Sequence, residues 1–356
     1  TSKFLEIDNT GVWFGLNKTK IPIIKDVFKF SNPNGTILAS SGAGKSYLAK
    51  LFIARQLLNG VKVIVIDPQG EYTDLVKAYD GQVIELSRDS ESIINPLDLM
   101  DHDYAEKRLS LMDMTKVMLG DLSEVQKGFL DKAIGITYEN KGIIENDPES
   151  LKKDPPILKD LLKSLNKLEE SASEMEKTSI RSLINRLDIY VTGVFKFLNQ
   201  HTKIDFNNRF VCFNINKLPN QVKPLLMFLV LDYVYAKMKK DIERKMLVID
   251  EAWALLSRAE DASYVFEIVK TCRKFNLALL LINQEVEGLL ASQAGKSVLA
   301  NSSYTFLLKQ KPAVIQQLKK TFDLSEAEKN HLLGANVGEG LLITEKDHSE
   351  IKIVAS

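Results

Sequence analysis

The sequence has no excess of charge. Its 356 residues carry 47 Lys plus Arg against 47 Asp plus Glu, a formal net charge of zero. That excludes a chain-wide pull on nucleic acid or anionic lipid, so a nucleic-acid partner would need a local basic patch. Cysteine is scarce. Cys212 and Cys272 form neither a disulfide framework nor a metal-ligand spacing, and a reducing, cytosolic setting is expected. Long apolar runs are missing too: Leu225 to Ala236 is too short to span a bilayer and contains Asp232, so it reads as a core helix. No secretory leader, internal repeat or low-complexity tract is expected. The chain starts at Thr1, which fits a domain of a longer protein. What is present is an ordinary soluble composition, 45% hydrophobic and 26% charged, with length enough for more than one folding unit.

Against that background one octet stands out, Ala39-Ser40-Ser41-Gly42-Ala43-Gly44-Lys45-Ser46. It follows a short strand-type run, Thr36 to Ala39, and opens a helix at Ser46-Tyr47-Leu48. Gly42 and Gly44 can take positive φ, which lets successive backbone N–H groups turn toward an anion. The helix N-terminus adds unpaired N–H groups and the positive end of its dipole. In such a loop Lys45 reaches the β- and γ-phosphates and the Ser46 hydroxyl ligates Mg²⁺. Ser41, Gly42, Ala43, Gly44, Lys45, Ser46 and Tyr47 make the candidate nucleotide-binding set, with ATP and Mg²⁺ as the expected ligands. The usual pattern is G-x-x-x-x-G-K-[ST], and Ala39 stands at its first glycine.

Two later strand ends add carboxylates and amides. Lys245 to Ile249 is a continuous apolar run ending in Asp250-Glu251, as expected of a buried parallel strand with a ligand beyond its carboxyl end. Asp250 suits the Mg²⁺ water shell, and Glu251 suits the general base that orients and deprotonates the attacking water. Leu277 to Ile282 ends in Asn283-Gln284; Gln284 either senses the γ-phosphate and positions water or caps the strand. Arg273 precedes that strand, either as a cation at a helix C-terminus or as an arginine finger for a neighbouring subunit. Together the loop and the strand ends point to a nucleoside triphosphatase.

Strands alternate with helices through the first 100 residues and again from 205 to 356, which predicts an α/β fold with a mostly parallel central sheet. Further strands are expected at Gly11–Leu16, Ile21–Ile24, Val61–Ile66, Val83–Leu86, Phe210–Ile215 and Tyr304–Leu308, with a terminal hairpin around Asp347-His348. Residues 101–204 read as an all-α inserted subdomain. Helices are expected there at Tyr104–Leu119, Ser123–Glu139, Ile157–Leu168 and Ser173–Phe197. The insertion holds 16 basic and 18 acidic residues, which implies no basic face. A helix over 222–240 is assigned to the motor part.

The loop, Asp67-Pro68-Gln69-Gly70-Glu71-Tyr72, Asn95-Pro96-Leu97, Ile249-Asp250-Glu251-Ala252-Trp253, Arg273-Lys274, Asn283-Gln284, Asn301-Ser302 and Gly338-Glu339-Gly340-Leu341-Leu342 occur in this order. The chain in this respect resembles the VirB/TraC-type conjugation and type IV secretion ATPases, over nearly its whole length. The resemblance implies a RecA-like P-loop NTPase motor, the C-terminal part of a longer protein, with an all-α insertion. It also implies a homo-hexamer with nucleotide between subunits, which favours Arg273 as a trans finger. Other secretion-system components are the implied partners, and the implied place is the cytoplasmic face of the inner membrane, held peripherally. The segment Asp347-His348 has no arginine where related chains often carry basic residues. A HerA/FtsK-like double-stranded DNA translocase shares the same core and is the alternative. A nucleotide-binding scaffold with little turnover is the other, against which intact Lys45, Ser46, Asp250 and Glu251 argue.

Overall fold

The computed structural model describes residues 8–100, 102–204, 207–240, 242–256, 262–284, 286–345 and 347–355. Among the described residues eleven strands occur: β1 (Val12–Asn17), β2 (Pro22–Lys25), β3 (Gly35–Leu38), β4 (Lys62–Asp67), β5 (Gln82–Glu85), β6 (Phe210–Asn214), β7 (Lys245–Ile249), β8 (Leu277–Asn283), β9 (Tyr304–Leu308), β10 (Glu339–Thr344) and β11 (His348–Lys352). They form one sheet in the order β2-β1-β11-β10-β9-β3-β8-β7-β4-β6-β5. The six central strands from β9 to β6 are mutually parallel. Every residue of β3, β6, β7, β8 and β9 is buried, which is why these strands read as unbroken apolar runs rather than alternating ones. An antiparallel wing, β10, β11, β1 and β2, extends the sheet beyond β9. It contains the expected C-terminal hairpin.

Two compact units emerge. The first comprises Thr1–Val83, Phe206–Asn216 and Met238–Ser356; the second comprises Ile84–Asp205 and Lys217–Lys237. In the first, helix Lys45–Leu58 covers the sheet with Phe52 against Phe14, Tyr304 and Phe306, ring centroids 5.2 to 6.1 Å apart. Four interlocked rings of this kind anchor the helix that carries the Gly42–Ser46 loop at its N-terminus.

The second unit holds helices Tyr104–Leu119, Glu124–Asn140, Leu158–Glu170 and Glu174–Val191. Its bounds differ from the 101–204 block expected from sequence: it starts at Ile84 and takes in residues 217–237. One tie between residues 217–237 and the helical block is Asp232. That carboxylate is buried, accepts hydrogen bonds from Lys107 Nζ at 2.9 Å and Ser110 Oγ at 2.8 Å, and lies 3.0 Å from His102 Nε2. A buried carboxylate needs such partners, and they come from the segment 102–110. Helix Lys223–Met238 therefore belongs mostly with the helical unit, although it directly precedes β7 in sequence. Asn95, part of the Asn-Pro-Leu motif, is also internal to this unit: its Nδ2 donates to Pro156 O at 2.8 Å, and its Oδ1 accepts from Leu97 N at 3.1 Å.

Smaller differences follow from local chemistry. The last insertion helix stops at Val191 rather than Phe197, with Thr192 as its C-cap and a separate short turn at Lys196–Leu198. Helices Pro312–Phe322 and Glu326–Gly334 are additional to the expected set. Pro312 sits in the first turn of one, and a Ser325–Glu328 capping box starts the other. Among the described residues no helix is long and apolar enough to cross a membrane.

Gly340 sits where β10 passes β9, and a Cβ there would lie 2.0 Å from Leu307 O. Gly340→Ala should therefore lower stability by about 1–3 kcal/mol, the usual cost of overpacking, read as a reduced urea midpoint. An unchanged midpoint would mean that β9 and β10 separate freely at this point.

Candidate functional site

The site begins where β3 ends. Gly42 and Gly44 adopt φ of +76° and +95°, left-handed conformations that explain both glycines. Gly44 is the N-cap of helix Lys45–Leu58. Ala39 is fully buried and is not among the positive-φ residues, so alanine fits the first glycine position of the pattern without strain. Ser40 N and Oγ both donate to Lys309 O, at 3.0 and 2.8 Å. Buried Gln310 donates to Leu38 O at 2.9 Å and Leu308 O at 3.0 Å. On the other side Gly338 N donates to Ala43 O at 3.0 Å. The Gly-Glu-Gly run thus braces the loop, and Gln310 fastens its base.

Lys45 is buried, and its ammonium donates to Asp250 Oδ1 at 2.9 Å and Glu251 Oε1 at 2.6 Å. Burial pulls the Lys45 ammonium down, but the two carboxylates outweigh it and hold it above the ordinary lysine value. Glu251 adopts φ of +49°, and its N–H returns to Asp250 Oδ1 at 2.9 Å. The left-handed turn aims both acids at the same lysine.

Three strand ends are laced together behind this triad. Asn283 O accepts from Ala39 N at 3.3 Å and Asn283 Oδ1 accepts from Trp253 N at 2.6 Å, so Asn283 ties the loop strand to the Asp250 strand. Its neighbour Gln284 is exposed and faces the cleft. At the end of β4, Asp67 accepts four backbone N–H groups, from Gln69, Gly70, Glu71 and Tyr72, at 2.7 to 3.2 Å. Burial pushes the Asp67 carboxyl up, and those four bonds only partly offset it. The turn so formed buries Tyr72, whose hydroxyl donates to Asp250 Oδ2 at 3.0 Å. Burial and then the Asp250 charge push the Tyr72 phenol well above its ordinary value, so it stays a proton donor.

Around the lysine lies a cleft of about 300 Å³ lined by Ser41, Gly42, Gly44, Ser46, Tyr47, Gln284 and, from the β4 turn, Gln69 and Glu71. One of the Glu71 carboxylate oxygens is buried without a hydrogen-bond partner. A phosphate cradle, a hydroxyl and acidic oxygens are a donor set that fits a magnesium nucleotide. Of the candidate residues, Arg273 alone lies elsewhere. It is exposed in the turn Cys272–Phe275 at the start of β8, where it donates to Ser31 O. The loop is at the other end of the parallel strands, roughly 20 Å away for a seven-residue strand. Arg273 cannot reach its own chain's cleft. Gln310, Asp67 and Tyr72 are contributors that motif spacing alone does not reveal as such.

A family model described as the TraG P-loop domain matches residues 16–353. Protein TraC of Escherichia coli (strain K12) is 26% identical over 304 residues, which are 79% of this chain and 32% of TraC. The chain thus spans about a third of that relative's length. A solved structure of VirB4 of Thermoanaerobacter pseudethanolicus matches with a TM-score of 0.90 at 29% identity, covering 98% of this chain and 97% of that one. The plasmid coupling protein TrwB, solved in complex with ADP and Mg²⁺, shares the fold at a TM-score of 0.68 and 13% identity, covering 96% of this chain and 90% of that one.

Asp67→Asn keeps an acceptor for the three N–H groups on Oδ1 but turns an amide toward Tyr72 N. Stability should fall by about 1–3 kcal/mol, the cost of leaving a buried donor unpaired, seen as a lower urea midpoint. No change would mean that the β4 turn is held by something other than Asp67.

Proposed function

The chain belongs to the TraG P-loop domain family, and we propose that it is the ATP-hydrolysing motor of a bacterial type IV secretion or conjugation machine. The observation that carries this reading is the Lys45 ammonium, 2.9 Å from Asp250 and 2.6 Å from Glu251, beside a glycine-built loop at a helix N-terminus. Phosphoryl transfer needs little covalent chemistry from a protein; it needs alignment and fixed positive charge. The Ser41–Gly44 backbone and Lys45 hold the phosphates, Tyr47 borders them, and Ser46 with Asp250 are the residues that would hold Mg²⁺. Bound Mg²⁺ neutralises phosphate charge. Once Lys45 has moved to phosphate, Glu251 is free to take a proton from water, and Gln284 on the facing strand end orients that water against the γ-phosphate.

Arg273 then acts only across an interface, which favours a ring of copies, a homo-hexamer, in which each chain completes its neighbour's site. Other secretion-system components are the partners, and they hold the motor at the cytoplasmic face of the inner membrane. The zero net charge and the charge-balanced helical block offer no broad footprint for nucleic acid.

Steady-state ATPase activity measured across protein concentration, with and without duplex and single-stranded DNA, tests the reading. Turnover should rise with concentration and ignore DNA; strong DNA stimulation would favour a translocase. Glu251→Gln should retain nucleotide binding and lose about 10²–10⁴-fold in turnover, the span for a general base. Retained turnover would remove Glu251 from that role.

A further inference from the structure

Glu71 is held in place from both sides. Its N–H donates to Asp67 Oδ1 at 3.2 Å, and the adjacent Tyr72 is buried with its hydroxyl on Asp250 Oδ2. The side chain lines the same cleft as Lys45, Ser46 and Gln284. Its Oε2 is buried and accepts no hydrogen bond among the described residues. A carboxylate oxygen taken from water without a donor lowers stability. A turn built on four N–H bonds to Asp67 maintains it nonetheless.

The charge around the cleft indicates which donor is missing. Asp250 and Glu251 engage the Lys45 ammonium, and Glu71 lines the same cleft. Lys50, on the next turn of the helix, stands 6.0 Å from the Tyr72 ring. A free nucleoside triphosphate would add negative charge to a site where carboxylates outnumber the lysine lining it. A hydrated divalent cation instead brings positive charge together with O–H donors. Among the described residues no group of three or more His, Cys, Asp or Glu could hold a metal by itself. Mg²⁺ keeps several waters and binds through few protein ligands plus phosphate oxygens.

We propose that Glu71 accepts hydrogen bonds from the water shell of the nucleotide's Mg²⁺, and so makes the cleft select the metal complex over the free nucleotide. The inference rests on the nucleotide reading of the cleft. Glu71 is a positioning residue: it acts through the metal's water and not on the reacting phosphorus.

Calorimetric titration with a non-hydrolysable ATP analogue, in Mg²⁺ and in EDTA, tests this on wild type, Glu71→Gln and Glu71→Asp. Wild type should bind more tightly in Mg²⁺. Glu71→Gln should lose about tenfold of that gain, in line with loss of a hydrogen bond to a charged acceptor, with affinity in EDTA unchanged or improved. Glu71→Asp should recover part of it. Without ligand, Glu71→Gln should melt at or above the wild-type midpoint, because a buried carboxylate oxygen without a donor is gone. An equal Mg²⁺ gain in wild type and Glu71→Gln overturns the inference even if turnover falls, since that pattern belongs to a residue acting on the attacking water. A lower melting midpoint overturns it by revealing a protein partner for Oε2. Absence of any nucleotide binding by wild type is a separate result, and overturns the nucleotide reading together with this inference.

Discussion

The ammonium of Lys45 lies between two carboxylates that belong to another strand, and much of the first unit is arranged to keep it there. The lysine starts the helix after β3; Asp250 and Glu251 follow β7; β8 lies between those strands in the sheet. Bringing charges out of water is costly unless they are paired and their remaining positions are satisfied. Both acids meet that demand through Lys45, and Asp250 also through Tyr72 and the Glu251 N–H. The same pairing underlies the proposed function. On that proposal phosphate oxygens would compete with the carboxylates for one lysine, so that occupation of the loop and release of Glu251 would be the same event.

That competition works only if the strand ends hold still. Asn283 links the β3 and β7 ends through β8, Gln310 pins the base of the loop, and the Gly338 turn supports Ala43 from the β10 side. Asp67 organises the turn that delivers Tyr72 to Asp250. The motifs of this chain therefore divide by task. The loop and the Asp-Glu pair meet at the Lys45 ammonium; Asp67, Asn283 and the Gly-Glu-Gly run position them. Asn95 serves the helical unit instead, well described by its bonds to Pro156 and Leu97.

Much of this was legible in the residues because the chemistry is local. Two glycines before Lys-Ser, and an apolar run ending in Asp-Glu, leave few other readings. Strands β7 and β9 and helix Tyr104–Leu119 match their expected bounds, because each is a continuous apolar run or a regular helical pattern. What sequence could not convey depends on long-range pairing. Gln310 looks like any polar residue after a strand until β9 is set beside β3. Asp232 marks helix Lys223–Met238 as part of the helical unit only once Lys107, 125 positions away, is seen to need it. The capping box at Ser325 and the proline at 312 are local helix-start signals and needed no long-range pairing to be legible. The roles of Arg273 and Gln284 rest on placement alone, one at the far end of β8 and one at the cleft.

A crystal structure of this chain with Mg²⁺ and a non-hydrolysable ATP analogue would test the exchange at Lys45 directly. Lys45 Nζ should lie on phosphate oxygens, its bond to Glu251 broken, with the Asp67 turn unmoved. A nucleotide seated in the loop while Lys45 still held both carboxylates would contradict the exchange.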